Sequence, residues 1–280
     1  MAITGFKKTV WETALMTAWR GVSVADVITT PPTRVEGEKA IFNTVSGGTV
    51  KDYDGTINYE DATTTPIELA FDQKKYWAIK LDDVDKVQAA GPVLTVLAQE
   101  KALDLKEAID TDLLKEMAKI PTKSNKQLIG ETETKKSITE PSQAYDFVVD
   151  LGTILSTNKC PMANRFVIAK AEFINLMAKD KRFADNFNVL PNGIVQGATI
   201  NGMTVIQCED LPANTVLCVH KSAFGYAAQL NETEALRLEN SFSDAVRGLA
   251  VFGRKALRTK GIAGLLYEIS PAEIVQLRRK

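Results

Sequence analysis

The stretch that decides the fold is "SGGTVKDYDGTINYEDATTTPIELAFDQKKYWAIKLDD", residues 46–83. Its β-branched and aromatic residues, among them Val50, Tyr53, Ile57, Tyr59, Ile67, Phe71, Tyr76, Trp77 and Ile79, predict extended chain. Gly47-Gly48, Asp54-Gly55 and Thr65-Pro66 punctuate it as turns. The tip between Lys51 and Thr65 carries Asp52, Asp54, Asn58, Glu60 and Asp61, with too few apolar side chains to pack on a core of its own. An isolated two-stranded ribbon is marginal in water. This hairpin needs a surface to lean on.

Downstream comes the strongest helical signal, "PVLTVLAQEKALDLKEAIDTDLLKEMAKIP". Leu94, Leu97, Ala98, Ala102, Leu105, Ile109, Leu113 and Met117 form one apolar stripe at spacings of three and four. Pro92 suits the first turn and Pro121 marks the stop. From Val93 to Lys119 the helix is about 40 Å long at 1.5 Å per residue, enough to span a domain. Its stripe is too short for a coiled coil. Between hairpin and helix, Asp82 or Asp83 can cap a short turn that Gly91-Pro92 interrupts.

Upstream, residues 1–40 read as an arm. Val10, Ala14, Leu15, Ala18 and Trp19 recur at helical spacing, and Pro31-Pro32 ends the pattern. Two readings stand here: a terminal helix docked on its own domain, or a segment that reaches a neighbouring subunit. Residues 122–140 are polar and read as a loop or a thin hairpin. From Ser142 the texture is mixed. "SQAYDFVVDLGTILS" and "KAEFINLMAKD" read as helices, "RFVIA" and "TVLCVH" as buried strands, and Asn201-Gly202 as a tight turn. "EALRLEN", "DAVRGLAVFGRKALRT" and "GIAGLLYEIS" are extended. The fold class expected is α+β, with strands from distant parts of the chain meeting in one or two sheets.

Composition narrows the function. The 280 residues are 45% hydrophobic and 25% charged, ordinary globular values. A net charge of -1 gives no general attraction to nucleic acid or acidic membranes. Cys160, Cys208 and Cys218 form no metal or redox spacing, which suggests reduced thiols in a cytoplasmic setting. The N-terminus is interrupted by Glu12, Arg20 and Asp26, unlike a signal peptide, and no apolar run approaches the roughly 20 residues that span a bilayer.

A search for catalytic chemistry returns little. His220 is the single histidine and ends an apolar strand, so a structural role is expected. Together with Cys208 and Cys218 it lacks a fourth ligand at zinc spacing. No nucleophile elbow, P-loop or dinucleotide fingerprint occurs. Asp82, Asp83 and Asp85 are an acidic cluster able to hold a cation, but Lys80 and Lys86 flank them and an acidic helix start favours the macrodipole anyway. No cofactor is expected. The chain reads as no enzyme.

The C-terminal third carries a resemblance. "HKSAFGYAAQLNETEALRLENSFSDAVRGLAVFGRKALRTKGIAGL" looks like the closing segment of major capsid proteins of tailed double-stranded DNA bacteriophages. "LAFDQKKYWAIKLDDVDKVQA" is similar to that family's approach to its long helix, through Asp72, Gln73, Lys75, Tyr76, Ala78, Lys80, Asp82, Asp83, Asp85 and Lys86. "NRFVIAKAEFINLMAKDKRF" resembles the strand-helix step before the Asn-Gly hairpin, with Asn164 and Arg165 in matching places. The likeness runs from about Ile41 to Leu266.

What the resemblance implies is the Hong-Kong-97-like capsid fold. Its parts would be an N-terminal arm (1–40) and an extended loop (41–81), with a peripheral domain (82–141 and 230–280) built on a spine helix at about 93–119. An axial domain (142–229) completes it. The function implied is a major capsid protein that self-assembles through hexamers and pentamers into an icosahedral head. That head would enclose double-stranded DNA without sequence-specific binding and without a membrane.

The loop residues Lys51, Asp52, Tyr53, Asp54, Asn58, Tyr59, Glu60, Asp61, Lys74 and Lys75, with Trp11, Leu15 and Trp19 of the arm, would then make inter-subunit contacts. The partners implied are further copies of the chain and a portal. There is no room for a scaffolding domain before the arm, so a separate scaffolding protein is expected. The implied location is the virion, after assembly in the bacterial host cytoplasm. An encapsulin-type nanocompartment is the main rival, although the arm does not look like an encapsulin N-terminus, and an unrecognised enzyme is the second.

Overall fold

A thirty-residue stretch without glycine, and with proline only at its last turn, forms a single helix over Val93–Thr122. The computed structural model describes residues 24–37, 39–46, 52–53, 55, 59, 61, 63–82, 93–123, 126–131, 133–180, 182, 188–189, 194–237 and 243–269. In chain order these form α1 (Val24–Ile28), β1 (Arg34–Glu36), β2 (Lys39–Ser46), β3 (Thr63–Ala70), β4 (Gln73–Asp82) and the long α2 (Val93–Thr122). There follow β5 (Leu128–Ile129), β6 (Lys136–Ile138), α3 (Pro141–Thr157), β7 (Arg165–Ala169) and α4 (Ala171–Ala178). The remainder comprises β8 (Asn188–Val189), β9 (Ile194–Ile200), β10 (Met203–Gln207), β11 (Thr215–His220), β12 (Phe224–Arg237), β13 (Ser243–Ala256) and β14 (Ile262–Ile269).

The C-terminal half of the stripe expected on α2 is the face it buries: Leu105, Ile109, Leu113 and Met117, joined by Leu114, are all buried. The side chains of Leu94, Leu97, Ala98 and Ala102 lie outside the described residues. Pairs Lys101–Asp104 and Lys119–Glu116, one turn apart, lie on the solvent side. The helix runs one residue past Pro121, in its last turn. Thr122 then closes the end by donating its hydroxyl to the Lys119 carbonyl at 2.8 Å.

The central sheet runs in the order β5-β14-β11-β7-β10-β9-β8, with β6 also on β14. Its middle strands are buried on both faces, and their side chains alternate between two cores. Val167, Val216, Cys218, Ala263 and Leu265 join α3 and α4 on one face. Ile168, Leu217, Val219 and Ile262 join α1 and α2 on the other. That is why "TVLCVH" is apolar without alternation: every residue of β11 is buried. The β7–α4–β10 step is a parallel crossover, and the β9–β10 turn at Asn201-Gly202 has both φ angles positive, 50° and 73°.

Two smaller sheets complete the fold, β1-β2-β3 and β12-β13-β4. The single extended hairpin expected over 41–81 is corrected here. β2 and β3 do pair, from Lys39 with Ala70 to Ser46 with Thr63. The chain then turns at Phe71 and β4 pairs instead with β13, from Gln73 with Phe252 to Asp82 with Ser243. The physical reason is a glycine. Gly248 leaves the space that Trp77 fills, and a Cβ there would stand 2.5 Å from the indole Nε1.

Three further observations concern partner choice. Residues 122–140 contain two short strands, but each pairs in parallel with β14 rather than with the other. β12 and β13 stay with β4, whereas β14 joins the central sheet, so the chain after 230 is shared between sheets. At the end of the arm, α1 docks on α2 of its own chain with Ala25 and Ile28 buried.

Candidate assembly interface

The described residues of the β2–β3 hairpin are anchored at its base. Ala40, Phe42, Leu69 and Phe71 pack against Ala227 and Val251 of the β12–β13 pair. Glu68 adds polar fastening: its carboxylate accepts from Lys39 at 2.6 Å, and its backbone carbonyl accepts from Lys255 at 2.9 Å. The Lys39 ammonium holds the Glu68 carboxyl below its ordinary range, chiefly through that hydrogen bond. At Gly253 the β3 backbone crosses β13 so closely that a Cβ would meet the Ala70 carbonyl oxygen at 2.3 Å.

Beyond the base the exposure rises sharply. Tyr53 is 75% exposed and Tyr59 92%, values that no packed tyrosine shows. Asp52 and Asp61 are exposed beside them, and Gly55 takes φ 101°, a conformation that favours glycine. Lys51, Asp54, Asn58 and Glu60 lie outside the described residues, as do Trp11, Leu15 and Trp19 of the arm. Lys74 and Lys75 are exposed but stand on β4, apart from the hairpin. There Lys75 shares a recess of about 430 Å³ with Asp104, Glu107, Asp112 and Lys115 of α2.

Tyr76, 83% exposed, is a surface residue that the sequence reading did not count among the inter-subunit contacts. The signal was present. Tyr76 and Trp77 are adjacent in a strand, so one of them must point outward.

His220 is buried, and its Nδ1 accepts the Ser222 backbone N–H at 3.1 Å and lies 2.8 Å from the Ser222 hydroxyl, capping the turn into β12. Burial lowers its pKa. Burial also pushes the Cys208 and Cys218 thiols up to about 12, which suppresses the nucleophilic thiolate.

Arg165 is 1% exposed and donates to the carbonyls of Gly152, Cys160 and Pro161 and to the Ser156 hydroxyl, so it closes the C-terminus of α3. Among the described residues no group of three or more His, Cys, Asp or Glu is placed to hold a metal ion, and no helix is long and apolar enough to cross a membrane. Asp83 and Asp85 lie outside the described residues.

No family model matches the chain, and a search of curated proteins returned no match. Solved structures match it over most of its length. The capsid structure of cyanophage P-SCSP1u aligns with TM-score 0.64 at 14% identity, covering 89% of each chain. A chain from mycobacterium phage Che8 aligns with TM-score 0.59 at 22% identity, covering 82% of this chain and 85% of that one. A virus-like particle from Pyrococcus furiosus aligns with TM-score 0.57 at 13% identity, covering 95% and 100%. The fold is that of capsid shell subunits. It is the α+β, Hong-Kong-97-like fold, with a hairpin held at its base and a long helix beneath the sheets.

Proposed function

We propose that this chain is the major capsid protein of a tailed double-stranded DNA phage, building an icosahedral head from hexamers and pentamers of itself. The observation that carries the reading is the hairpin: anchored through Phe42, Leu69 and Phe71, it carries two tyrosines, Tyr53 and Tyr59, that are almost fully exposed. A neighbouring copy supplies the missing surface, and closed rings of copies give every hairpin the same partner. The shared fold with phage capsids supports the same conclusion. In this reading residues 1–40 are the arm and the β2–β3 hairpin is the loop, while α2 is the spine of a peripheral domain. The segment 142–229 forms most of an axial domain around the central sheet.

The role is structural, with no reaction assigned to any residue. A separate scaffolding protein and a portal complete the assembly, which takes place in the host cytoplasm. The genome is enclosed without base-specific contacts. The likeness to a virus-like particle over that whole chain favours a second reading, a nanocompartment shell of the encapsulin type. Electron microscopy of the purified protein tests both. Closed particles are expected, and soluble monomers at every concentration would overturn the proposal. Nuclease-protected DNA in particles from infected cells separates the head from the nanocompartment.

A further inference from the structure

The C-terminal end of α2 borders a groove of about 580 Å³, lined by Ile120, Lys123, Lys126, Gln127 and the end of β13. It shares Asn158, Thr259 and Lys260 with a second recess of about 420 Å³ beside Lys159 and Arg258. Five exposed cations, Lys123, Lys126, Lys159, Arg258 and Lys260, thus converge from separate stretches of chain. Lys126, Lys159, Arg258 and Lys260 make no side-chain hydrogen bond or ion pair within the described residues. The acid on the lining, Glu116, is already engaged by Lys119 at 2.8 Å and Arg254 at 3.7 Å. With 34 basic and 35 acidic residues in the whole chain, such a concentration of one sign is local and needs a counter-charge.

We propose that this groove docks an acidic peptide segment of an assembly partner, with carboxylates on the lysines and an apolar side chain on the half-buried Ile120 and Ala256. Chemistry favours a peptide over nucleic acid. The apolar part of the lining, Ile120 and Ala256, offers nothing to phosphates, whereas a peptide brings apolar side chains to it. Naming the partner as an assembly protein rests on the shell reading. The affinity of the groove for an acidic peptide does not.

The test uses the full-length unassembled chain and a short fluorescein-labelled peptide alternating Glu and Leu, read by fluorescence anisotropy. Saturable binding that weakens with salt is expected. The double variant Lys126→Glu, Lys260→Glu should weaken it at least about tenfold, and the Lys126→Arg, Lys260→Arg variant should keep it. No saturable binding, or equal binding by the Glu variant, overturns the proposal. So does tighter binding of a duplex oligonucleotide lost in the same variant, which would make the groove a nucleic-acid site. Tighter binding of a peptide copying residues 50–62 would assign the groove to a neighbour's hairpin instead. Microscopy of the same preparation separates the two levels: closed particles without peptide binding sink the groove alone, and peptide binding without particles sinks the shell reading alone.

Discussion

The carboxylate of Asp110, buried on α2, accepts the backbone N–H groups of both Val24 and Ala25, each at 3.2 Å. α2 thereby caps the first turn of α1 and fastens that segment to the same chain. Asp110→Ala leaves two buried donors without that acceptor and should cost about 1–3 kcal/mol. Asp110→Asn keeps one acceptor oxygen and should cost less. Urea unfolding followed by circular dichroism measures both, and equal stability of Asp110→Ala and the parent chain would show that the cap contributes nothing.

Gly253 sets how closely the hairpin base approaches β13. In Gly253→Ala the added Cβ meets the Ala70 carbonyl oxygen and a Leu69 methyl, each at 2.3 Å. One of these is backbone and cannot rotate aside, so a loss of about 1–3 kcal/mol is expected. A thermal melt reads the loss. A melting temperature unchanged by the substitution would mean the crossing is looser than described.

His220 gives a pH signature that no other histidine can blur, since the chain has one. Burial lowers its folded-state pKa, so the neutral form is favoured in the fold. The corresponding stability is fully present above the unfolded value of about 6.5 and is lost as pH falls from there through the folded pKa. His220→Asn should flatten that part of the stability profile. Parallel profiles for the two proteins would contradict the assignment.

The exposed tyrosines separate folding from assembly. Replacing Tyr53 and Tyr59 with Ser should change subunit stability by no more than about 0.5 kcal/mol, because neither side chain is packed. Shell formation should fail or require a higher protein concentration, as read by light scattering and microscopy. Normal particles from this variant would remove the hairpin from the inter-subunit contact.

Replacing residues 47–62 with a short turn tests the same hairpin by removal. The base cluster of Phe42, Leu69 and Phe71 remains, so unfolding should stay cooperative while assembly is lost. A truncated chain that still closes into particles would contradict the role given to the tip.

Several elements were determined by the sequence alone, each by interactions between near neighbours. The α2 stripe at Leu105, Ile109, Leu113 and Met117 follows from a 3.6-residue period, and the fully apolar β11 announces a strand covered on both sides. The Asn201-Gly202 turn follows from which residues tolerate positive φ. The polar composition of the hairpin tip likewise raised, from residues 51–65 alone, the expectation of a supporting surface.

Tertiary structure alone decided which strand pairs with which. β4 continues directly from β3, and nothing local says that it leaves the hairpin for β13. That choice rests on Trp77 fitting over Gly248, a contact between distant residues. The same holds for β14, which joins β11 through a register from Thr215–Leu266 to Val219–Ile262 and recruits β5 and β6 to its edge. The lysines around the end of α2 also look unremarkable in sequence, each a solvated charge in its own segment. Periodicity records what a residue's neighbours along the chain require. Pairing and charge convergence depend on side-chain volumes and fields that only the folded chain brings together.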